Sequence, residues 1–354
     1  MMHKKTNFKL WTEGFIWLFI TFALCYFGHK TYKQAESELK KEGLLVVRLN
    51  GPISEMYAGE LLANSLNYYK NNNLNVTFKT GGERIDNISL IASGDGHFGV
   101  ESAVNLAASR CNGVSIKAVS IDLEFPPVAW MFKEGGNIKE FTDFSGVKIG
   151  QLGEKEPKFL FKTVAEIVGL KYENIDFRNI NDDGLEDLIK GKVDVIPVYI
   201  NWEPIKAKKL GLNFRITYPL EYGVDPYGQV VFTSEKMINE NPETIIKFVE
   251  ATRKGWEYAM KYPEKAAEEL RKVGEISSVD NGTILLRLKA LLKINSEKMK
   301  KDKGVGEMDL IRWDTTLFFL KKTGLIGPSC EANNCFIDIK DLIKMSNIKK
   351  NHKN

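Results

Sequence analysis

Charged and apolar positions divide this chain into a front segment, two alternating blocks and a helical end. Residues 15–27 (Phe-Ile-Trp-Leu-Phe-Ile-Thr-Phe-Ala-Leu-Cys-Tyr-Phe) carry no charge, and the wider stretch 10–28 holds one, Glu13. That is close to the ~20 residues a helix needs to cross a bilayer. Lys4, Lys5 and Lys9 precede it, and Trp11, Trp17, Tyr26 and Phe27 put aromatic rings near both ends, as expected for a helix entering from the cytoplasmic side. The pattern predicts an uncleaved N-terminal transmembrane helix. A cleaved signal peptide is the main rival, but no A-x-A cleavage pattern follows. A lipoprotein signal would need a small residue before Cys25, where Leu24 stands. Residues 29–42, rich in Lys and Glu, read as a helical stalk.

Beyond residue 43 short apolar runs alternate with helical stripes. Strands are predicted at 44–49, 75–79, 97–100, 114–120 and 128–132, with helices over 57–69 and 85–93 between them. A second block repeats the alternation: strands at 147–151, 175–178, 193–200 and 214–218, a helix from Pro157 to Gly169 and another over 183–190. The last third is different. One strand, 230–233, is followed by helices over 242–261, from Pro263 to Gly274, over 282–292 and over 308–323. The β-α-β-α-β order predicts an α/β protein with mostly parallel sheets flanked by helices.

Composition narrows the function classes. The chain has 354 residues, 43% of them hydrophobic and 27% charged, with a net charge of only +4. Such a chain is globular rather than disordered or multi-spanning, and its charge gives no reason to expect nucleic acid. The basic surplus sits at the ends: residues 1–43 hold seven Lys and four Glu, and residues 340–354 five Lys and one Asp, which leaves the body mildly acidic. Four His without ligand-like spacing make a metal site improbable, and no cofactor is expected. Cys330 and Cys335 can close a small disulfide loop outside the cytoplasm, whereas Cys111 reads as a packed hydrophobe.

Four stretches then carry a family resemblance. Residues 91–100 (Ile-Ala-Ser-Gly-Asp-Gly-His-Phe-Gly-Val), 137–150 (Asn-Ile-Lys-Glu-Phe-Thr-Asp-Phe-Ser-Gly-Val-Lys-Ile-Gly), 222–228 (Tyr-Gly-Val-Asp-Pro-Tyr-Gly) and the Asn241-Pro242-Glu243 … Gly255-Trp256 … Pro263-Glu264 run are similar, in order and spacing, to motifs of one group of binding proteins. These are the extracytoplasmic solute-binding proteins of ABC importers for nitrate, sulfonates, taurine and thiamine-pyrimidine precursors. Trp313 and Gly324-Leu325-Ile326 fit the same pattern. The resemblance implies a two-lobed type II periplasmic-binding-protein fold. It implies lobe I at 44–132 and 228–340, lobe II at 133–227, an N-terminal anchor and stalk at 1–43 and a basic tail at 341–354. Together with the apolar front segment, this predicts a monomer held on the cytoplasmic membrane through residues 10–28, facing the periplasm or exterior; the resemblance implies delivery of a small-molecule ligand to an ABC permease and ATPase, without catalysis.

In open α/β sheets ligands lie beyond the carboxyl ends of the strands. That rule selects Ser54 and Tyr57, Glu101 and Ser102, Asp122 and Glu124, Gly153, and then Asn201, Trp202 and Glu203. The implied second crossover adds Tyr222, Asp225 and Tyr227. The run from Tyr199 to Glu203 resembles an aromatic-plus-Glu stretch of precursor-binding members. These candidates include five acids and no Arg or Lys, and Glu154 and Glu156 stand at the start of the Pro157 helix, so a neutral or cationic nitrogen heterocycle suits them better than an anion. The chain departs from precursor-binding members after the first strand, where Gly51-Pro52-Ile53-Ser54-Glu55-Met56-Tyr57 lacks the usual Asn and His. The alternatives are a nitrate, sulfonate or taurine binder and a ligand-sensing module for a partner membrane protein. An enzyme of the pyrimidine-making branch would carry a cysteine-rich motif that is absent here.

Overall fold

The computed structural model describes residues 43–82, 85–151, 155–180, 184–299 and 308–351. The expected anchor and stalk, and Gly153, lie outside them. The described strands are, in chain order, β1 (Leu44–Arg48), β2 (Asn75–Lys79), β3 (Phe98–Glu101), β4 (Ile116–Leu123), β5 (Val128–Lys133), β6 (Lys148–Gln151), β7 (Asp176–Asn179), β8 (Val195–Tyr199), β9 (Phe214–Thr217) and β10 (Gln229–Ser234). They form two five-stranded sheets, ordered β2-β1-β3-β10-β4 and β7-β6-β8-β5-β9. β1 pairs parallel with β3, and β6 parallel with β7 and β8. Each sheet also holds one antiparallel strand delivered from the other: β10 between β3 and β4, and β5 between β8 and β9.

This corrects one boundary. The run Val128–Lys133, assigned above to the first lobe, is a central strand of the second sheet. The chain therefore leaves the first sheet at residues 124–127, not near 132. A strand buried on both faces reads as a continuous apolar run, which shows that it is central but not which sheet owns it.

The helices that matter for the site are α1 (Ala58–Ser65), α2 (Ala103–Cys111), α3 (Lys155–Ile167), α4 (Glu203–Lys209), α5 (Pro242–Lys261), α6 (Asn281–Met299), α7 (Leu310–Lys322) and α8 (Ile339–Asn351). Ile245, Phe248, Val249, Thr252 and Trp256 make the buried stripe of α5. Phe248 stacks on Phe98 at 4.0 Å and on Tyr69 at 4.9 Å. Each such apolar side chain contributes about 1.5–3 kcal/mol on full burial. α5 lies backbone to backbone on α1, since a Cβ on Gly255 would stand 2.0 Å from the Gly59 carbonyl oxygen. Residues 341–354, read as a basic tail, instead belong largely to α8, whose Leu342 is fully buried and whose Met345 packs against the same core. The lysines around that short stripe hide it from a charge-based reading.

The cysteines are also paired differently. The disulfide joins Cys111 at the end of α2 to Cys330, with the Cα atoms 5.3 Å apart, and Cys335 is a buried free thiol. The segment after Cys330 is pinned to β4, because the Ala118 N–H donates to the Cys335 carbonyl and the Ile337 N–H to the Ala118 carbonyl, both at 2.9 Å. That alignment brings the three sulfurs within 4.8 Å of one another and gives Cys330 to Cys111. Burial pushes the Cys335 thiol up to about 11, so it is not a ready nucleophile. Peptide mapping without reduction is expected to recover a Cys111–Cys330 crosslink that survives Cys335→Ser. Cys111→Ser is expected to cost about 2–4 kcal/mol in denaturant unfolding.

Candidate functional site

The carboxyl ends of β1 and β3 place a polar network on the first lobe. Beyond β1, Asn50 accepts a hydrogen bond from the Tyr57 hydroxyl at 2.7 Å and donates to Glu101 Oε1 at 3.4 Å. Glu101, the last residue of β3, also accepts at Oε1 from the Ser102 N–H at 2.8 Å and from Asn105 Nδ2 at 3.1 Å. Its Oε2 accepts no hydrogen bond among the described residues. Burial pushes the Glu101 carboxyl above the usual carboxylate range, and these donors partly offset the push. The floor beside it is tight. A Cβ on Gly81 would meet the Leu49 carbonyl oxygen at 2.2 Å and Asn87 Nδ2 at 2.6 Å, so this approach requires glycine. Ser102 caps α2 through its hydroxyl, and half-buried Ser54 precedes the turn that carries Tyr57.

The second lobe contributes the end of β8. Asn201 is buried with Oδ1 unpaired among the described residues, and Trp202 is 41% exposed. Glu203 is turned inward. It starts α4, and its Oε2 accepts from the Tyr199 N–H at 2.7 Å, where the helix N-terminus favours an anion. Half-buried Tyr199 packs into the apolar core and is held by the same contact.

Arg287 of α6 was not foreseen. Its guanidinium lies 3.5 Å from the centre of the Trp202 ring and pairs with buried Glu55 at 3.7 Å, so it ties the first lobe to the second at the edge of the cleft. Burial pushes Glu55 up and Arg287 down, and their mutual attraction opposes both shifts. No sequence signal marks Arg287, since it is simply one cation beside the buried Ile284, Leu288 and Leu291 stripe of α6.

Five predicted residues do not join this group. Asp122 lies within β4, and its buried carboxyl faces Glu60 of α1. Glu124 and Asp225 belong to a clamp built by Arg312 of α7. That guanidinium donates to Glu124 Oε2 at 2.7 Å, to the Asp225 carbonyl at 2.5 Å, to the Pro226 carbonyl at 3.1 Å and to the Glu124 carbonyl. It stacks on Tyr227 at 4.1 Å and Phe125 at 4.7 Å. Arg312 therefore fastens both crossovers. Tyr227 is buried there, accepts from the Asp309 N–H at 2.7 Å, and is pushed up to about 12 chiefly by burial. Tyr222 accepts from the Phe141 N–H at 2.9 Å inside the second lobe.

Two lobes joined by two crossovers, with polar groups on facing strand ends, make up the periplasmic-binding-protein fold. The periplasmic aliphatic sulphonate-binding protein of Escherichia coli superposes with a TM-score of 0.63 at 12% identity, covering 83% of this chain and 92% of that one, a likeness of fold. A formylaminopyrimidine-binding protein of Halalkalibacterium halodurans is 24% identical over 280 residues, 77% of this chain and 83% of the relative. A 4-amino-5-hydroxymethyl-2-methylpyrimidine phosphate synthase of Legionella pneumophila is 22% identical over 239 residues, 67% of this chain and 75% of the relative. The stretch 55–266, which contains Tyr57, Glu101 and Trp202, matches the family described as NMT1/THI5 like, and the chain belongs to that family.

Proposed function

We propose that this chain is an extracytoplasmic solute-binding protein that takes a small nitrogen heterocycle, of the aminopyrimidine type, between its lobes and passes it to an ABC import permease. The observation that carries the reading is Glu101: one carboxyl oxygen is fixed by three donors while the other accepts none among the described residues, and burial shifts the group toward its protonated form. Such a group can donate to a ring nitrogen or accept from an exocyclic amine. Trp202 supplies an aromatic platform on the other lobe. The formylaminopyrimidine-binding relative supports the ligand class. Arg287 does not favour an anionic ligand, because its charge is engaged by Glu55 and its plane by Trp202. The binding reading entails no turnover, although some relatives are named as synthases. Monomeric attachment to the cytoplasmic membrane through residues 10–28 is part of the same proposal.

Calorimetric titration with formylaminopyrimidine is the direct test, and saturable one-to-one binding is expected. Glu101→Ala is expected to weaken it about 10–100-fold, the value of a charge-assisted hydrogen bond, and Trp202→Ala about 3–10-fold. Absence of binding by the unaltered chain to formylaminopyrimidine and to simpler aminopyrimidines would overturn the ligand class.

A further inference from the structure

A cavity of about 860 Å³ lies between the lobes on the flank of the hinge, where α4 and β9 face α6. None of Asn50, Tyr57, Glu101 and Trp202 lines it. Its walls are apolar and come from both sides: Ile200, Ile205 and Ile216 from the second lobe, Phe125 from the first crossover, Leu286 and Ile294 from α6. Leu286 is 48% exposed, and Leu220, at the opposite wall, is 44% exposed. Apolar area held open in a concavity of this size is the usual character of a ligand pocket rather than of ordinary surface.

The charges around it are mostly positive. Lys208, Lys209 and Lys293 line the cavity against a single acid, Glu221. Glu221 is already engaged, with Oε2 accepting from the Thr217 hydroxyl at 2.7 Å and the Tyr218 N–H at 3.1 Å. Lys209 pairs with Asp280 at 3.5 Å and donates to Thr283. Lys208 is exposed and has no acidic partner among the described residues. We infer that this cavity is a second ligand site, for a small free acid whose apolar body fills the pocket and whose carboxylate or sulfonate is met by Lys208. That chemistry is the reverse of the cleft, where an acid and an aromatic ring await a nitrogen heterocycle. The inference stands apart from what fills the cleft.

The test is a fluorescence titration of the full chain with 8-anilinonaphthalene-1-sulfonate, an apolar monoanion. One saturable component is expected, weakened at least fivefold by Lys208→Glu and at least tenfold by Leu286→Asp, which puts a like charge into the wall. The uncharged analogue N-phenyl-1-naphthylamine is expected to bind at least fivefold more weakly. Should Leu286→Asp lose its fold by circular dichroism, Ala290→Trp fills the same pocket and carries the same expectation. Titration curves of a folded pocket variant that superpose on those of the unaltered chain overturn the site, and equal affinity for the charged and neutral probes overturns its acid preference.

Discussion

Arg312→Ala is expected to destabilise the protein by about 3 kcal/mol in urea unfolding. The Arg312 side chain is 6% exposed, and its removal strands several acceptors at once: the Glu124 carboxylate and the carbonyls of Glu124, Asp225 and Pro226. Breaking one partner of a buried ion pair costs about 3–5 kcal/mol, and here the lower end applies because Glu124 and Asp225 keep some contact with solvent. Stacking on Tyr227 and Phe125 is lost as well. Arg312→Lys is expected to recover little, since a single ammonium cannot reach three carbonyls and a carboxylate in the fork geometry of a guanidinium. A variant within 1 kcal/mol of the unaltered chain would show that the crossovers are held by something else. Because the clamp grips both crossovers, Arg312→Ala is also the substitution most apt to alter how the lobes close on a ligand.

What the sequence made legible follows from how far each contact reaches. The runs at 128–132 and 193–200 are strands because two-faced burial leaves an uninterrupted apolar signature. Glu101, Asn201 and Trp202 lie at the ends of β3 and β8 as the sequence predicts, because a strand end is a local property. Asp122 was chosen by the same rule and misplaced for a plain reason. β4 runs on to Leu123, so Asp122 is inside the strand and its side chain points to a face instead of an end. Glu124, Asp225 and Tyr227 follow strands whose chain crosses to the other lobe, and a strand end that becomes a crossover supplies hinge residues. Arg287 and Arg312 could not be found this way. Each is a cation on an amphipathic helix, and its acidic partners (Glu55 for Arg287, Glu124 and Asp225 for Arg312) lie far away in sequence, so it reads as a solvated charge until the helix is docked. The disulfide failed similarly: Cys335 is near Cys330 in sequence, but Cys111 is brought to it by the end of α2.

The second large effect concerns pH. Glu60 on α1 is 0% exposed and Asp122 on β4 3%, and the two carboxyl groups face each other with no Lys or Arg bearing on either among the described residues. Burial pushes both carboxyls above their usual range. For Asp122 the neighbouring Glu60 adds to the push, while for Glu60 the contact with Asp122 offsets part of it. Two buried carboxylates side by side cannot both ionise, so the folded protein keeps a proton on the pair that the unfolded chain has released. The sign follows. Above the unfolded carboxyl values, near 4, the native state binds more protons than the unfolded state, so stability falls as pH rises towards the folded values. The slope is about 1.4 kcal/mol per pH unit for each retained proton. Glu60→Gln with Asp122→Asn keeps the size of both side chains, supplies amide donors and removes the titration. Urea unfolding between pH 5 and 8 is expected to show the double variant gaining on the unaltered chain as pH rises, by up to about that amount per unit for as long as the folded pair holds its proton. Glu55 and Glu101, whose carboxyls are also pushed up, are common to both proteins and cancel in the difference. Parallel pH profiles would mean that the pair is already ionised in the folded state, and that water or a cation compensates it between α1 and the first sheet.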